Sequence, residues 1–585
     1  MLFNRSKSRF GAVAVVAMAS SATNAAPSVT ESAELEEIVV TASLRQESLA
    51  DFPVSTTVLD SSILESAGVR HFEDAMKLVP NLNWSGATSR PRYFQVRGIG
   101  ELEQYQGAPN ASVGFLVDEI DFSGVGMPAT LWDVDQVEVL RGPQGTRFGA
   151  NALAGLIKIK TREADGTADL RSEVIAGENG IFSAGAAAGG PLGADGERAG
   201  WRASAYWSQA DGFRRNRYLG RDDTNSRREL TLRGRLRTRL SEIWQVGLSL
   251  GYADLDNGFD AFVPDNSLQT LSDRPGRDEQ RTVSSALELQ GDFDGGRVLG
   301  ITTVADSDIL YSFDGDWGND LYWGEYAPYD YFSRYDRDRR TLSQDLRWVS
   351  DATAELGGVG WVAGLYATRL EESNLQRDYF AAELLSRPLE SEFQATNLAA
   401  YGETEWRVAD DYVISGGLRI ERRSADYDDN DGASFDPVDT MLGGQLSLRR
   451  VARPGGSWYL TLSRGYKAGG FNIGQLVPDD RRQFEPEYLW NLEGGLRLND
   501  ADRGLDASLS VFHMWREDQQ VATSFQLDPG DPLPLDLGEL GALRERIDAS
   551  GVEAGAVCLL HAYANGDHER TAGRALRREG RALSL

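Results

Sequence analysis

From about residue 166 onward, the chain repeatedly alternates apolar with polar residues. In residues 244–252, WQVGLSLGY, large apolar or aromatic side chains occupy every second position from Trp244 to Tyr252. Because successive side chains of a β-strand point to opposite faces, this pattern predicts a strand with one apolar face. An aromatic residue at each end of that face is typical of strands that contact a bilayer. A strand of a soluble β-sandwich is the alternative interpretation.

Similar stretches recur along the chain, and their repetition favours the lipid-facing interpretation. They are WVAGLYATRL, NLAAYGETEW, YVISGGLRIE, WYLTLSRGY, WNLEGGLRLN and LDASLSVFHMW. Counting strand candidates by their period of two predicts about fifteen strands before residue 523. A large antiparallel β-sheet is therefore expected to make up most of the protein.

The connections between these strands are alternately short and long. Residues 240–244 and 407–412 are short turns, whereas long loops are expected at residues 255–282, 311–340, 371–394, 424–440 and 471–486. Short turns at one end and long loops at the other are typical of outer-membrane β-barrels. Loops of this length in a compact protein usually carry a binding function.

Residues 51–162 have a different pattern, which predicts a compact α/β unit. A short amphipathic helix is expected within residues 60–83, and Pro80 marks its latest end. Short strands are expected in YFQVRGIG, SVGFLVDEID, VDQVEVLRG and GLIKIKT, separated by turns rich in glycine and proline. The closely spaced glycines that follow VDQVEVLR do not form a phosphate-binding loop, because no Gly-Lys-Ser/Thr sequence follows them.

The N-terminus has the pattern of a secretory signal peptide. Basic residues precede a short apolar stretch from Gly11 to Ser20, and small residues at Ala25 or Ala26 offer a cleavage site. Residues 1–26 are therefore predicted to direct the chain out of the cytoplasm. Residues 27–50 are expected to be extended and unpaired.

The amino-acid composition argues against several classes of function. The net charge of −29 argues against nucleic-acid binding, which requires clustered Lys and Arg. No apolar run reaches the length of about 18 residues that a membrane-spanning helix needs. With a single Cys the chain cannot form an intramolecular disulfide, and its four His residues provide few ligands for a metal centre. The sequence also contains no recognisable enzyme motif. We therefore expect no enzymatic activity, no cofactor and no bound metal ion.

Three groups of motifs resemble one family. EEIVVTA at residues 36–42 resembles a TonB box. FQVRGIG, VDEID and VEVLRGPQGTRFGANALAGLIKIKT resemble the plug domain of TonB-dependent outer-membrane receptors, and SRGYKAGGFN and FEPEYLWNLEGGLR resemble their barrel. The resemblance extends over about residues 34–522. It departs from the family pattern at Arg147, where an apolar residue is usual, and at Ala150, where arginine is frequent.

The resemblance implies a mainly β protein with an α/β plug, residues 51–162, inside an antiparallel transmembrane β-barrel that begins at residue 163. The family barrel has twenty-two strands. The resemblance also implies a monomer in the outer membrane of a Gram-negative bacterium, in contact with outer-membrane lipid. Such a protein would import a small extracellular ligand with energy supplied by the TonB complex. A ferric siderophore is the favoured ligand, an oligosaccharide, cobalamin or haem are alternatives, and a passive porin is the rival of another class.

The TonB box would be the contact with the energy-coupling protein. Its residues are Glu36, Glu37, Ile38, Val39, Val40, Thr41 and Ala42. An extended segment of this kind can add as a strand to the edge of another protein's sheet. A disordered leader without a partner is the alternative.

Within the plug, the resemblance assigns coupling roles to two arginines. Arg97 and Arg141 match plug arginines that face glutamates of the barrel wall, and Glu493 matches one of those glutamates. The second acidic position falls on Arg464. Ordinary charged groups at strand ends are the alternative interpretation. The turn glycines of the same motifs are Gly98, Gly142, Gly145 and Gly149, where tight turns are expected to exclude larger side chains.

Two features are candidates for ligand recognition. The loop at residues 311–336 is rich in aromatic and acidic residues, and its candidate contacts are Trp317, Tyr322, Trp323, Tyr326 and Tyr329. Such rings can stack on a flat ligand or a sugar, although an aromatic girdle is the alternative. In residues 231–240, TLRGRLRTRL, four arginines share one face of a strand. They could bind plug acids or guide an anionic ligand, and the sequence leaves both open.

Residues 523–585 do not continue the barrel pattern. They lack sustained alternation and contain few aromatic residues. We hypothesise a truncated or frameshifted gene near residues 523–540, which would leave residues 163–522 as a partial barrel with an exposed edge and a non-functional product. Translating the other two reading frames beyond this point tests the hypothesis, because the absence of further alternating strands there would contradict it.

Overall fold

The protein is described by a computed structural model. It describes residues 39–45, 47–85, 90–101, 109–126, 130–193, 198–263, 265–351, 358–453, 456–472, 482–500, 505–520, 554–556 and 582–584. The predicted signal peptide and most of the predicted tail lie outside these residues. Within the described part of the chain, no helix is both long enough and apolar enough to cross a bilayer.

Residues 39–161 contain an inner α/β unit, which we call the plug. Its strands are β1 (Val39–Val40), β2 (Glu47–Ser48), β3 (Thr56–Asp60), β4 (Leu82–Ser85), β5 (Tyr93–Val96), β6 (Ile99–Gly100), β7 (Val113–Val117), β8 (Ile120–Asp121), β9 (Val134–Arg141) and β10 (Gly155–Thr161). Its helices are α1 (Ser61–Ser66), α2 (Phe72–Met76) and α3 (Gly145–Phe148), and a 3-10 turn follows at Gly149–Asn151. Five strands form a mixed sheet in the order β3-β9-β10-β7-β8, in which β10 and β7 are parallel.

The helical part of the plug differs from the single amphipathic helix expected from the sequence. Two short helices form instead. Asp60 caps the N-terminus of α1 by accepting a hydrogen bond from the Ile63 backbone N–H. Gly68 then takes a left-handed conformation with φ of +66°, which ends the first helix, and His71 caps α2.

A seventeen-stranded antiparallel sheet, which we call the wall, makes up most of the protein. Its strands are β11 (Asp169–Ala176), β12 (Phe182–Pro191), β13 (Ala199–Ala210), β15 (Arg227–Arg239), β16 (Trp244–Phe259), β18 (Gly276–Phe293), β19 (Gly296–Asp314), β20 (Tyr331–Ser350), β21 (Val359–Phe380), β22 (Glu383–Leu384), β23 (Leu389–Ala409), β24 (Tyr412–Asp429), β25 (Ser434–Phe435), β26 (Val438–Arg453), β27 (Gly456–Lys467), β30 (Glu487–Asp500) and β31 (Leu505–Glu517). Two of the seventeen, β22 and β25, have two residues each, so fifteen are long. The predicted antiparallel sheet is confirmed.

Between β31 and β11 the wall has no pairing among the described residues, so these strands form its two edges. Smaller elements lie outside the wall. They are β14 (Arg215–Asn216), β17 (Gln269–Thr270), α4 (Asp320–Trp323), a 3-10 turn at Gly324–Tyr326, β28 (Gly470–Phe471), β29 (Gln483–Phe484), β32 (Ala554–Ala556) and β33 (Ala582–Ser584). A sheet with two edge strands agrees with the expectation of an incomplete barrel.

Four of the five long loops expected from the sequence are shorter in the structure. The expected loops 255–282 and 311–340 reduce to residues 260–275 and 315–330, because the flanking strands continue as paired ladders. The expected loops 371–394 and 424–440 shorten as well, whereas the connection expected at 471–486 does not, because β27 ends at Lys467 and β30 begins at Glu487. The expectation was wrong because polar strand ends have unbroken backbone pairing but lack the apolar face that marks a strand in sequence.

The plug core continues into the wall. Buried apolar residues of β7, β9 and β10, such as Phe115, Val139 and Ile157, form one cluster with Ala286, Ala305 and Leu489 of the wall. Apolar side chains on the outer face of the wall, such as Leu232, Leu250 and Leu418, are exposed. The inner face of the wall is therefore shaped to hold the plug.

Candidate ligand and energy-coupling site

The segment that carries the predicted TonB box is docked on the plug. Val39–Val40 pairs with Glu47–Ser48, and the Val40 side chain is completely buried. The Glu138 carboxylate accepts hydrogen bonds from the backbone N–H groups of Thr41 at 2.9 Å and Ala42 at 2.8 Å. The expectation that residues 27–50 are unpaired is therefore wrong for Val39–Val40 and Glu47–Ser48.

Two further contacts hold this docked segment. The side chain of Gln136 donates to the Val39 carbonyl at 3.0 Å, and the Lys158 ammonium donates to the Thr41 carbonyl at 3.3 Å. Side chains of β9 and β10 thus form hydrogen bonds with backbone N–H and C=O groups of the docked segment. These are groups that a strand of another protein would otherwise bind. Glu36, Glu37 and Ile38 of the predicted box lie outside the described residues.

The same segment is also anchored to the wall. Arg45 donates to the Ser350 hydroxyl at 2.6 Å and to the Trp361 carbonyl at 2.9 Å. On the next strand, Glu47 pairs with Arg449 of the wall at 2.7 Å. The segment therefore bridges the plug and the wall.

Arg97 and Glu493, which the family resemblance pairs, meet in the structure. The guanidinium and carboxylate lie 2.7 Å apart, and their side chains are only 1% and 2% exposed. Glu493 also accepts hydrogen bonds from the Tyr459 hydroxyl and the Ser55 backbone N–H. Arg97 has a φ of +54° and lies over the Phe512 ring at 3.7 Å.

Arg141 and Arg464 have other surroundings. Arg141 donates to the Pro80 carbonyl at 2.9 Å and to the Thr57 hydroxyl at 2.6 Å, both within the plug. Burial and the positive charge of Arg97 lower the pKa of Arg141 to about 10, so the group stays charged at neutral pH. Arg464 lies over the Tyr488 ring and donates to a wall carbonyl, so it does not provide a second plug contact.

Arg147, which departs from the family pattern, has its own partner in the wall. It is buried 3.4 Å from Glu403 and lies over the Phe52 ring at 4.8 Å. Gln445 donates to the same carboxylate at 3.2 Å. Sequence reasoning found the unusual arginine but not Glu403, which lies 256 residues away and has no local signal.

The turn glycines have different structural roles. Gly98, Gly142 and Gly149 have φ values of +79°, +88° and +74°, which favour glycine. Gly145 has no such φ, but a Cβ there would lie 3.1 Å from the Gly465 Cα. At Gly149 a Cβ would lie 2.4 Å from the Glu421 carboxylate, so this turn packs directly on the wall.

Gly149→Ala is therefore expected to loosen the plug. The added methyl group meets Glu421 and takes an unfavourable φ, and together these cost about 1–3 kcal/mol. We expect faster trypsin cleavage of the plug in purified protein. Gly98→Ala is the matched control, because it has a similar φ but no atom within 4 Å of its Cβ. Equal protection of the two variants would contradict the packing role of Gly149.

The arginine face of β15 is bound to the plug at two positions. Arg235 pairs with Asp118 at 2.8 Å and with Glu163 at 3.2 Å. Arg233 donates to the Trp132 carbonyl at 2.7 Å. Of the two interpretations left open by the sequence, binding to plug acids holds for Arg235.

An outer pocket of about 110 Å³ lies between the plug and the long-loop half of the wall. Arginines line it from both sides: Arg92 belongs to the plug, and Arg337, Arg339 and Arg423 to the wall. Among the described residues, Nε and one terminal nitrogen of both Arg92 and Arg337 have no hydrogen-bond acceptor. Four carboxylates, those of Glu101, Asp121, Glu372 and Glu421, line the same pocket, so what sets it apart is the unpartnered donors of Arg92 and Arg337.

The predicted aromatic loop forms a row of rings outside that pocket. Tyr322, Trp323, Tyr329 and Tyr331 contact one another in sequence, with ring centroids 4.7 to 5.2 Å apart. Trp317 stacks instead on Phe262, and Tyr326 is 70% exposed. None of the five predicted loop residues lines the outer pocket. In the described part of the chain, no group of three or more His, Cys, Asp and Glu side chains is arranged to hold a metal ion.

A strand-built wall, a plug joined to it by buried ion pairs and a pocket beneath long loops define the class of plugged outer-membrane receptors. Two family models match the chain. TonB-dependent Receptor Plug Domain matches residues 48–156, and TonB dependent receptor-like, beta-barrel matches residues 169–564, which include part of the segment 523–585. The chain therefore belongs to the TonB-dependent receptor family. It is an outer-membrane protein, with short turns on the periplasmic side and long loops outside.

The chain is similar to several known receptors and outer-membrane proteins. The pesticin receptor of Yersinia enterocolitica serotype O:8 is 25% identical over 491 residues, which cover 80% of this chain and 68% of that protein. The iron-regulated outer membrane virulence protein of Vibrio cholerae is 24% identical over 506 residues, covering 82% and 68%. The crystal structure of the ferric yersiniabactin uptake receptor FyuA from Yersinia pestis matches with a TM-score of 0.71 at 23% identity, covering 80% of this chain and 73% of that chain. The structural likeness shows the shared fold.

Proposed function

We propose that this protein imports a ferric siderophore across the outer membrane by transport coupled to the TonB complex, and that it is not an enzyme. The observation that carries the proposal is the outer pocket with its unmatched arginine donors. It lies on the extracellular side of the plug, where a ligand would arrive first. The docked box segment lies on the opposite, periplasmic side, where TonB would engage it.

The hydrogen bonding of the pocket favours an anionic ligand. Three of its carboxylates accept hydrogen bonds: Glu101 from Ser112, Asp121 from Ser123 and Asn151, and Glu421 from Asn397 and Tyr466. The fourth, Glu372, has longer ion pairs, at 3.8 Å with Arg337 and 3.5 Å with Arg339. The free donors belong to Arg92 and Arg337. Guanidinium groups bind carboxylate and similar oxygen groups in a bidentate manner, so an oxygen-rich ferric chelate with ionised groups is a suitable ligand.

The relatives support the same substrate class. A ferric yersiniabactin uptake receptor and a ferripyoverdine receptor of Pseudomonas aeruginosa are among the similar structures, the second with a TM-score of 0.62 at 16% identity, covering 82% of this chain and 66% of that chain. Uptake of an oligosaccharide, cobalamin or haem is the second candidate function. The row of aromatic rings from Tyr322 to Tyr331 favours it, because such rings stack on flat ligands and sugars.

Arg337→Gln is expected to weaken the binding of an anionic ferric siderophore. Loss of charge-assisted hydrogen bonds costs about 1.5–3 kcal/mol, or roughly a tenfold to hundredfold rise in Kd. Tryptophan fluorescence quenching of purified protein by ferric yersiniabactin, ferric pyoverdine and cyanocobalamin measures the affinity. Iron-limited growth on each siderophore, with and without TonB, measures uptake.

Arg340→Gln is the matched control, because this arginine lies on the same strand and is exposed outside the pocket. It is expected to bind like the wild type. Binding of cyanocobalamin alone, or equal affinity of the Arg337 and Arg340 variants for every ferric siderophore, would contradict the proposed substrate class. Uptake that continues without TonB would favour a passive porin.

A further inference from the structure

A second and larger cavity lies on the periplasmic side of the plug. Its volume is about 670 Å³, and it runs along the inner face of β16, β18, β19, β20 and β21. The docked box segment lines it through Thr41, Ser43, Leu44 and Arg45. The volume is within the range of about 300–1,000 Å³ that is usual for small-molecule sites. We call this space the inner cavity.

The inner cavity and the outer pocket share part of their lining. Asp121, Ser123, Phe148, Asn151 and Tyr366 line both spaces. The two spaces therefore adjoin each other at these side chains. Asn151 donates to the Asp121 carboxylate at 3.1 Å across this boundary.

The chemistry of the inner cavity suits a polar, ionic molecule. Basic groups such as Lys160, Arg237 and Arg347 line it together with acidic groups such as Asp118 and Glu288. Charged groups of both signs can replace the hydration of an ionic chelate through charge-assisted hydrogen bonds. An apolar ligand would leave these charged groups poorly solvated.

A continuous set of contacts joins the box segment to this boundary. The Lys158 ammonium donates to the Thr41 carbonyl at 3.3 Å and pairs with Glu119 at 2.7 Å. Lys158 is opposite Leu116 in the sheet, and Leu116 is opposite Asp121. Lys158 and Asp121 thus occupy one row across β10, β7 and β8. Removing the box segment takes away one of the two acceptors of Lys158, at the start of this row.

Together these observations lead to one inference, which rests on the proposed import function. We propose that the inner cavity is a second binding site for the polar ferric chelate, and that Asp121, Phe148, Asn151 and Tyr366 form a side-chain gate between it and the outer pocket. Lys158 is a positioning residue that links the gate to the docked box segment. The chelate then passes beside the plug along one side of the wall, while the plug sheet stays in place.

Truncating the gate is expected to open an ion path through the protein. The full-length protein is placed in planar lipid bilayers with KCl on both sides, and single-channel current is recorded. Tyr366→Ala and the milder Asn151→Ala are expected to raise the current above the wild-type level. The wild type supplies the baseline for any current along the open edge of the wall.

Tyr206→Ala is the matched control for Tyr366→Ala. Tyr206 also packs a wall ring on the plug, at 5.7 Å from Trp132, but it lines neither cavity. It is expected to keep the wild-type current. Heat-dependent electrophoretic mobility and trypsin resistance show which variants are folded. Wild-type currents in folded Asn151→Ala and Tyr366→Ala, or an equal rise in Tyr206→Ala, would overturn the gate.

The link to the box segment has its own measurement. Lys158→Met removes both the hydrogen bond to Thr41 and the pair with Glu119, so it is expected to raise the same current. Lys158→Arg preserves the charge and is expected to restore the wild-type level. Combining Lys158→Met with Asn151→Ala is expected to give no further rise, because both act on one gate. An unchanged current in Lys158→Met, or additive rises in the double variant, would overturn the link.

These currents are carried by K⁺ and Cl⁻ and require no siderophore. Absence of ferric-siderophore binding would therefore contradict the proposed function while leaving the gate measurement valid. Normal siderophore uptake by the wild type, with gate variants that carry no extra current, would contradict only the gate.

Discussion

Val39→Pro is expected to abolish TonB-dependent uptake of a ferric siderophore while leaving its binding at the cell surface unchanged. Proline has no backbone N–H and cannot complete a strand added to another sheet. Val39 belongs to β1 on the periplasmic side of the plug, far along the chain from the arginines of the outer pocket. Uptake of ⁵⁵Fe-labelled siderophore by energised cells, compared with binding at 0 °C, measures the two steps separately.

Val39→Ala is the control for this prediction, because it removes side-chain volume but keeps the backbone donor. It is expected to retain most of the uptake. The proline also removes one of only two residue pairs between β1 and β2, so the segment undocks more easily. Wild-type uptake in Val39→Pro would exclude strand addition at this residue as the coupling step.

Glu493→Gln is expected to destabilise the seating of the plug in the wall strongly. It removes the negative charge beside Arg97 but keeps an oxygen for the Tyr459 and Ser55 hydrogen bonds. A buried charge that loses its partner costs about 3–5 kcal/mol. We expect a lower melting temperature in detergent, faster trypsin cleavage of the plug and loss of uptake.

The double variant Arg97→Met/Glu493→Gln separates structure from coupling. Removing both charges is often neutral for stability, so the double variant is expected to regain most of the lost thermal stability. If the pair must break and form again during transport, its uptake stays low although the protein is stable. Recovery of both stability and uptake would show that the pair is only structural.

Regular local patterns explain why much of the fold could be predicted. The period of two in residues 244–252 depends only on the direction of successive side chains, and β16 covers that stretch. The Gly142 and Gly149 turns could also be expected, because the backbone there takes a conformation that other residues adopt at a cost. The error in loop length arose where strands extend beyond the apolar environment. There both faces of the strand carry polar side chains, so the alternation that marks a strand in sequence is lost.

Long-range partners were less accessible from the sequence. The Arg97–Glu493 pair was expected only through family resemblance, and the partner of Arg147 was not expected at all. Glu403 lies within the pattern of an ordinary strand, and an exposed glutamate and a buried one look the same in sequence. Only the packing of the plug against β23 makes this carboxylate the partner of a buried guanidinium.

Local pattern was sufficient for the alternating strands, and the class of protein followed from the family resemblance of the plug motifs and of the peptide near the start of the chain. The state of that peptide is a tertiary property. The N–H groups of Thr41 and Ala42 are bound by Glu138, a carboxylate almost a hundred residues away in sequence. The two cavities and the side chains between them likewise arise from the gap between plug and wall. The shape of this gap depends on how the plug and the wall pack together, so it cannot be predicted from any single stretch of sequence.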